Sequence, residues 1–239
     1  MDDFGLTIDV QPLLIQNSLI LAVQTFSRLN PNIVMEKITD ISQLDPKGIY
    51  TYADYLTWQF EQAVELIKGK VLRMAAPNRK HQEVSWQLSG RYFTALKGSS
   101  CKAYAAPFDV RLTDKSRSKK ANKEILTVVQ PDLCVVCDME NLDEKGCIGA
   151  PDLMVEILSA SNSKKEMRTK KALYEESSVR EYWIVDPTHE TLLQYILQAD
   201  ETYAPPQIFV NDEVVHSAIF PHLQVNLLEI FEATNDSQL

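Results

Sequence analysis

Two acidic residues interrupt apolar segments of the chain, where an ionised carboxylate without a partner is costly to bury. Asp132 follows Pro131, and Glu156 stands between Val155 and Ile157. Acids at the ends of two neighbouring strands suit a hard divalent cation, because Mg²⁺ takes few protein carboxylates, keeps several waters and is completed by substrate phosphate oxygens. The two acids therefore indicate a metal site and phosphodiester chemistry.

The overall charge gives no simple sign of a nucleic-acid partner. Of the 239 residues, 45% are apolar and 24% charged, which is ordinary for a globular protein, and the formal net charge is −9. A nucleic-acid-binding protein usually carries a basic surface. Basic residues do cluster in two segments, Lys115, Arg117, Lys119, Lys120 and Lys123, and Lys164, Lys165, Arg168, Lys170 and Lys171. Charge runs are most often solvated surface, and that interpretation stays open for both clusters.

The apolar stretches near the N-terminus are too short for a membrane span. Residues 13–15 and 19–23 are separated by Gln16 and Asn17, and neither stretch approaches the roughly 20 residues that a span requires. The opening Met1-Asp2-Asp3 lacks the positive charge of a secretory signal. We therefore expect a cytoplasmic protein without a membrane partner.

The four cysteines, Cys101, Cys134, Cys137 and Cys147, are expected to meet a reducing environment in that compartment. Cys134 and Cys137 have the CxxC spacing of metal and redox motifs, but they lie in an apolar run whose strand geometry would place their thiols on opposite faces. Buried structural thiols are the preferred interpretation. A zinc or redox module stays a separate hypothesis, weakened because the other two cysteines have no paired spacing.

The order of predicted elements is that of a mixed α/β domain. Residues 1–48 form an N-terminal extension, 49–232 the domain and 233–239 a tail. We predict four helices. The first covers 52–61 and is capped by Thr51, and the second follows Asn78 with Val84, Leu88, Tyr92 and Leu96 on its inner face. The third runs from Asn162 or Ser163 to Glu176, and the fourth covers 227–231. We predict strands at 63–67, 71–74, near 101–112, at 127–137, 153–158, 181–185, 192–197, 208–210 and 214–215, with 141–149 a polar connection. The strands at 127–137 and 153–158 could form an antiparallel pair.

The motifs in this order resemble those of the Uma-two family of restriction-endonuclease-like proteins, a branch of the PD-(D/E)XK nuclease superfamily. The matching segments are Glu65-Leu66-Ile67-Lys68-Gly69-Lys70, Met74, His81, Gln130-Pro131-Asp132, Pro151 to Ser159, Lys170, Leu173-Tyr174 and Val179 to Pro187. Several spaced blocks in the right order are much harder to obtain by chance than a lone Pro-Asp. The resemblance covers about Thr51 to Phe231.

The resemblance implies a restriction-endonuclease-like core, a central mixed β-sheet flanked by helices, with a metal-binding acid on each of two adjacent strands. It implies that Glu65, Asp132 and Glu156 are catalytic metal ligands, and the backbone carbonyl of Ile157 is a further candidate ligand. The implied cofactor is Mg²⁺, with Mn²⁺ as a substitute. Such an ion lowers the pKa of a bound water and stabilises charge on the reacting phosphate.

The superfamily's lysine is absent from its usual place, because Leu158 stands two positions after Glu156. The resemblance implies that the lysine has moved to the following helix, where Lys170 could stabilise developing negative charge. Lys171 is adjacent but points about 100° around the helix. His81 could bind a phosphate or orient Glu65. We assign His81, Lys164, Arg168 and Lys171 as candidate substrate-binding residues.

Two functions are consistent with these residues. The first is an Mg²⁺-dependent endonuclease that hydrolyses DNA as a homodimer. The second is a catalytically inactive protein of nuclease fold that binds nucleic acid or serves as a scaffold, which the acidic charge and the displaced lysine favour. Structural roles also stay open for the individual residues. Asp132 could be a turn acid, Glu156 a partner of Lys170 or Arg180, and Glu65 a solvent-facing acid.

Overall fold

A computed structural model describes residues 37–113, 122–159 and 164–232 of the chain. The chain divides into two units, Met1–Lys37 and Ile38–Leu239, so nearly everything described belongs to the second. The domain start at residue 49 that the sequence indicates stays a prediction. The tail 233–239, the predicted caps Asn162 and Ser163, and most of the first basic cluster lie outside the described residues.

Four α-helices lie in the described part of the chain. They are α1 (Tyr52–Tyr55), α2 (Arg79–Leu96), α3 (Lys164–Glu176) and α4 (Leu227–Glu232). Thr51 and Asp54 form the predicted capping box at the start of α1, but this helix ends at Tyr55 rather than at residue 61. Asn78 caps α2 through its side chain, which accepts a hydrogen bond from the backbone N–H of His81.

The first sheet has six strands in the order β2-β1-β5-β4-β8-β7. Its strands are β1 (Val64–Ile67), β2 (Lys70–Arg73), β4 (Val110–Arg111), β5 (Val128–Val129), β7 (Leu142–Asp143) and β8 (Gly146–Ile148). All pairings are antiparallel except β4 with β8. The predicted hairpin of β1 and β2 is present and turns at Lys68 and Gly69, both with positive φ. The predicted polar connection at 141–149 contains the small hairpin of β7 and β8.

The second sheet also has six strands, in the order β12-β11-β10-β9-β6-β3. Its strands are β3 (Lys102–Ala105), β6 (Leu133–Val136), β9 (Leu153–Ile157), β10 (Glu181–Asp186), β11 (Thr191–Ile196) and β12 (Gln207–Val210). Only β9 and β10 are parallel. A separate pair, β13 (Val214–His216) and β14 (Gln224–Asn226), packs near α2 and α4.

The predicted strand at 127–137 is two strands that belong to different sheets. Val129 ends β5 in the first sheet and Leu133 begins β6 in the second, so the segment Gln130-Pro131-Asp132 crosses between the sheets. Proline cannot donate to a strand ladder, which explains the break at this point. The predicted antiparallel pairing of 127–137 with 153–158 is confirmed for β6 and β9.

The core lies on both faces of the second sheet. Alternate residues of β6 face opposite sides: Leu133 and Val135 pack with α2, and Cys134 and Val136 pack with α3. The predicted inward face of α2 is confirmed, because Val84, Leu88, Tyr92 and Leu96 are all buried. This arrangement of a mixed sheet between two helices confirms the α/β fold class.

Two of the four cysteines are not the free thiols that the sequence indicates. Cys101 precedes β3 and Cys137 follows β6, and because Lys102 pairs with Val136 in the antiparallel register, the two cysteines stand opposite each other and form a disulfide. Cys134 and Cys147 are free and buried. Cys134 packs on the opposite side of the sheet from Cys137, so the CxxC spacing does not bring these two sulfur atoms together.

No helix within residues 37–113, 122–159 and 164–232 is long and apolar enough to cross a membrane.

Candidate active site

Asp132 and Glu156 lie side by side because of the register between β6 and β9. Leu133 pairs with Val155, so the next position along places Asp132 opposite Glu156. The Oδ2 atom of Asp132 accepts a hydrogen bond of 2.7 Å from the backbone N–H of Ile157. The two acids that the sequence singles out therefore lie side by side at the ends of the neighbouring strands β6 and β9.

Glu65 reaches the same place from the first sheet. Its strand, β1, pairs with β5 through Leu66 and Val128, which brings Glu65 close to the crossing segment that follows β5. The Oε1 atom of Glu65 accepts a hydrogen bond of 2.9 Å from the backbone N–H of Gln130. Although Glu65 lies on a hairpin, its side chain is buried rather than facing solvent.

Lys170 of α3 joins these carboxylates. Its ammonium lies 3.1 Å from Oε1 of Glu65 and 3.0 Å from both oxygens of Glu156. Burial opposes the charge of Lys170, but the attraction of Glu156 and Glu65 outweighs burial and raises the pKa of this ammonium. Lys170 is therefore a fixed positive charge between two buried acids.

Glu156 is hard to ionise in this environment. Burial, together with the nearby negative charges of Asp132 and Glu65, raises the pKa of Glu156 to about 7, although Lys170 and a hydrogen bond from Tyr174 act in the opposite direction. Burial and the two neighbouring carboxylates therefore leave Glu156 about half protonated near pH 7 in the absence of a further cation.

Tyr174 is a site residue to which sequence reasoning assigned no role. Its hydroxyl donates a hydrogen bond to Oε1 of Glu156, and its ring is fully buried. Burial, and then the charge of Glu156, raises the pKa of this phenol well above its ordinary value, so it stays a donor. The signal in the sequence is its position four residues after Lys170, which places both side chains on one face of α3.

His81 contacts Asp132 rather than Glu65, the partner that the sequence suggested. The Nε2 atom of His81 lies 3.1 Å from Oδ1 of Asp132. Its other ring nitrogen, Nδ1, is buried and has no hydrogen-bond partner within the described residues. The helix cap at Asn78 fixes the backbone of His81 at the start of α2. The two oxygens of Asp132 are thus held by a ring nitrogen and by the N–H of Ile157.

These side chains line one cavity of about 380 Å³. The cavity also carries apolar and polar residues from the hairpin β1–β2, from α2 and from α3. The residues that line it include Glu65, Arg73, Met74, His81, Gln82, Ser85, Gln130, Asp132, Glu156, Ile157, Lys165, Glu166, Thr169 and Lys170. The structure therefore brings together all four predicted catalytic residues and the predicted ligand residue Ile157.

The predicted substrate-binding residues of α3 separate into two groups. Lys164 and Arg168 line a second groove, which also contains Lys68 and adjoins the cavity through Lys165 and Thr169. Lys171 faces elsewhere, because its ammonium pairs with Glu175 and lies over the rings of Tyr195 and Tyr203. Lys164, Lys165 and Arg168 are thus the basic residues that α3 places beside the cavity.

The donor set is of the type that a hard divalent cation takes, since three carboxylates share one cavity and carry more negative charge than Lys170 balances. The side chains do not surround a common point at present. Within the described residues, no three His, Cys, Asp or Glu side chains are already arranged to hold a metal ion. The ammonium of Lys170, bonded to Glu65 and Glu156, occupies the space between two of the acids.

Known proteins resemble this chain in sequence and in fold. Residues 52–228 match the profile of the Uma2 (Uma-two) family, described as "Putative restriction endonuclease". A crystal structure of a "putative nuclease belonging to DUF820" from Anabaena variabilis has a TM-score of 0.61 and 20% sequence identity, and the match covers 77% of this chain and 98% of that chain. No curated protein matches the chain. The profile match confirms the family resemblance read from the motifs, and the structural match shows a shared fold.

Proposed function

Because the chain belongs to the Uma2 family of restriction-endonuclease-like proteins, we propose that it is a nuclease that hydrolyses phosphodiester bonds of DNA with the help of Mg²⁺ or Mn²⁺. One observation supports this proposal above the others. Glu65, Asp132, Glu156 and Lys170 come from three different parts of the fold and face one cavity. A structural ion pair needs one acid for one base, whereas this cavity holds an excess of buried acids.

In the proposed site, Asp132, Glu156 and Glu65 would hold the divalent ion, with the carbonyl of Ile157 as a further donor. The ion supplies a Lewis acid and lowers the pKa of a bound water when it is present. His81 and the N–H of Ile157 hold the two oxygens of Asp132 and thereby limit the rotation of this carboxylate. Gln130 does the same for Glu65 through its backbone N–H.

Lys170 has the role of the superfamily's lysine in this proposal. Leu158 occupies the usual position and carries no charge, whereas the Lys170 ammonium already lies within hydrogen-bonding distance of two of the acids. A cation fixed at this place can stabilise negative charge that develops on the phosphate, or orient the attacking water. Tyr174 positions Glu156 by donating a hydrogen bond to it.

The substrate would approach along the basic groove on α3. Lys164 and Arg168 are exposed there, and Lys165 lines both this groove and the catalytic cavity. Positive side chains beside the cavity can hold the phosphates that flank the scissile bond, even in a chain with a net charge of −9. This local arrangement supports a nucleic-acid substrate, and we propose duplex DNA cut by a homodimer with two sites.

The test is cleavage of plasmid and linear DNA by the purified chain with Mg²⁺ or Mn²⁺, compared with EDTA. Asp132→Asn is expected to lower the cleavage rate by at least about 100-fold, the order of loss expected from a group that stabilises the transition state. The matched control is Asp152→Asn, which alters the other Pro-Asp. Asp152 bonds to the N–H of Cys137 and to Arg180 and does not line the cavity.

Cleavage of RNA alone would correct the substrate class, and equal activity of wild type and the Asp132→Asn variant would overturn the proposal. Mn²⁺ binding, measured by calorimetry, gives a second readout that is independent of the substrate. Binding should be lost in the Asp132→Asn variant and retained in the Asp152→Asn variant.

The second candidate is a catalytically inactive member of the family that binds nucleic acid or serves as a scaffold. The observation that favours it is the direct bonding of Lys170 to Glu65 and Glu156, which can serve as a buried structural ion pair. DNA binding in EDTA that survives simultaneous replacement of Glu65, Asp132 and Glu156 would support this candidate. Strict dependence of binding on a divalent ion would contradict it.

The cytoplasmic location stays a prediction.

A further inference from the structure

The outer face of α2 carries two large aromatic side chains that the rest of the described fold does not cover. Trp86 is 79% exposed and Phe93 is 73% exposed, although both belong to a helix whose opposite side is fully packed. A single exposed aromatic is ordinary on a protein surface, but two on one helical face form a patch of the kind that marks an interaction site.

The positions of these side chains along α2 would allow the same face of a second copy to pack against them. Trp86 and Phe93 are seven residues, or two turns, apart, so they lie within about 20° of each other around the helix. Gly90 lies between them, and a Cβ added there would meet nothing within 4 Å. A glycine in the middle of a helix costs about 1 kcal/mol relative to alanine, and here no neighbour among the described residues requires it.

From this pattern we propose that the Trp86–Gly90–Phe93 face of α2 is the contact surface between two copies of this chain. A two-fold axis perpendicular to α2 near Gly90 exchanges the two ends of the face in an antiparallel helix pair. Trp86 of each copy then meets Phe93 of the other, and the missing side chain of Gly90 lets the two helix backbones approach closely. Such a contact is isologous, as in most homodimers.

The surface beside the helix fits this occupant. A groove runs along α2 past Trp86, Gly90 and Phe93, and His222 and Gln224 form its other wall. It can accept an aromatic side chain that projects from a second copy. At the exposures given above, the two rings can contribute on the order of 300 Å² per copy, more than a third of the about 800 Å² that each partner buries in a standard interface. Aromatic residues are also typical interface anchors.

This surface is separate from the catalytic residues, although it lies next to them. Gln82 and Ser85 line the catalytic cavity, and Trp86 lies directly after Ser85 and one turn after Gln82 in the same helix. A second copy bound there would border the cavity without covering the basic groove on α3, which is lined by other residues. The proposal concerns assembly alone, so it stands or fails independently of the nuclease activity.

Sedimentation velocity of the full chain tests the assembly. We expect wild type to have twice the 27.2 kDa mass of one chain at micromolar concentration. Trp86→Ala removes an anchor and should raise the dimer dissociation constant by about 30-fold or more. Gly90→Gln should also yield a monomer, because the added glutamine side chain has free space in a single copy but would hold the two helices of a dimer apart.

The Gly90→Gln variant also guards against a trivial loss of folding, since glutamine favours helix. The monomeric variant should keep the helix content of wild type by circular dichroism and unfold in one cooperative transition, at a temperature that, unlike that of the dimer, does not depend on protein concentration. The matched control is Ile208→Glu, which charges another exposed apolar residue, on the edge strand β12. This variant should stay dimeric. A monomeric wild type, a dimeric Gly90→Gln variant, or dissociation by Ile208→Glu would each overturn the proposal.

Disulfide trapping tests the antiparallel register. A mixture of chains with Trp86→Cys and chains with Phe93→Cys should form a covalent heterodimer on mild oxidation, whereas either variant alone should cross-link at least about 10-fold less. The native cysteines should not interfere, because Cys101 and Cys137 are bonded to each other and the other two are buried. Equal cross-linking of Trp86→Cys with itself would contradict the two-fold arrangement.

Discussion

The ammonium of Lys170 lies 3.0 Å from both carboxylate oxygens of Glu156, across the interface between α3 and the second sheet. The two residues are 14 positions apart in the chain and both are largely buried. In the proposed site this pair would take the place of the neighbouring acid and lysine that the E-x-K triplet supplies on a single strand. Its consequences can be measured with and without a metal ion.

Replacing Lys170 by Met should destabilise the metal-free protein and abolish cleavage. The substitution keeps the length of the side chain but leaves two buried acids without their cation, so we expect a loss of about 3–5 kcal/mol in the free energy of unfolding at pH 8. Urea denaturation in EDTA measures this loss. Lys171→Met is the matched control, since it removes only the partly exposed pair with Glu175 and should cost less than about 1 kcal/mol. Equal losses in the two variants would contradict the role of Lys170.

The stability of the metal-free protein should depend on pH through Glu156. Its pKa is about 7 in the folded chain against an ordinary 4.5, so between these values the folded state binds more protons than the unfolded state. This contribution to stability is therefore lost as the pH rises from about 4.5 to about 7. Glu156→Gln removes the titration. We expect the unfolding free energy of wild type to fall relative to that of the variant from pH 5 to pH 8. A constant difference between the two proteins would refute the assignment.

Replacing Tyr174 by Phe should move the pH dependence upward. The hydroxyl of Tyr174 lowers the pKa of Glu156 by donating a hydrogen bond to its ionised form, so the variant should need a higher pH to ionise Glu156. Loss of a residue that orients a metal ligand typically costs about 10-fold to 100-fold in metal affinity or activity. Cleavage rates between pH 6 and pH 9 measure both effects.

The control for Tyr174 is Tyr203→Phe, which removes another mostly buried hydroxyl. The hydroxyl of Tyr203 donates to the carbonyl of Val179 and touches no carboxylate of the cavity. Its loss should leave the pH profile in place. A shift of similar size in both variants would show that the effect comes from packing rather than from the hydrogen bond to Glu156.

Neutralising the basic groove should weaken DNA binding in a salt-dependent manner. Arg168→Gln, in the Asp132→Asn background to prevent cleavage, should lower the affinity for duplex DNA and reduce the slope of log K against log salt by about 1. Lys171→Gln should change neither quantity, since Lys171 is paired with Glu175 away from the groove. Fluorescence anisotropy between 50 and 300 mM salt, on the order of the physiological range, measures both. An unchanged slope for Arg168→Gln would place the substrate elsewhere.

Local patterns in the sequence determined much of the fold. The four-residue spacing of Val84, Leu88, Tyr92 and Leu96 predicted the buried face of α2, and the glycine turn after Ile67 predicted the hairpin of β1 and β2. The ordered motifs also identified the family. These features depend on helix and strand periodicity, which a chain carries in its own residues.

The sequence predicted one continuous strand at a place where the chain passes from one sheet to the other. Residues 127–129 and 133–137 are apolar or β-branched on either side of Gln130-Pro131-Asp132, so they read as one strand, yet Pro131 marks the crossing between sheets. The disulfide of Cys101 and Cys137 was missed for a similar reason. Two cysteines 36 positions apart become neighbours only through the register of β3 with β6, which no local pattern records.

The sequence by itself identified the candidate residues for the chemistry, because the resemblance to the family singles out Glu65, Asp132, Glu156 and Lys170. Only the tertiary structure decided their partners: His81 on Asp132, Tyr174 on Glu156, and Lys171 turned away towards Glu175. The physical reason is that side-chain type fixes what a group can bind, whereas distance and burial, which set its pKa and its charge balance, arise when separate strands and helices pack together.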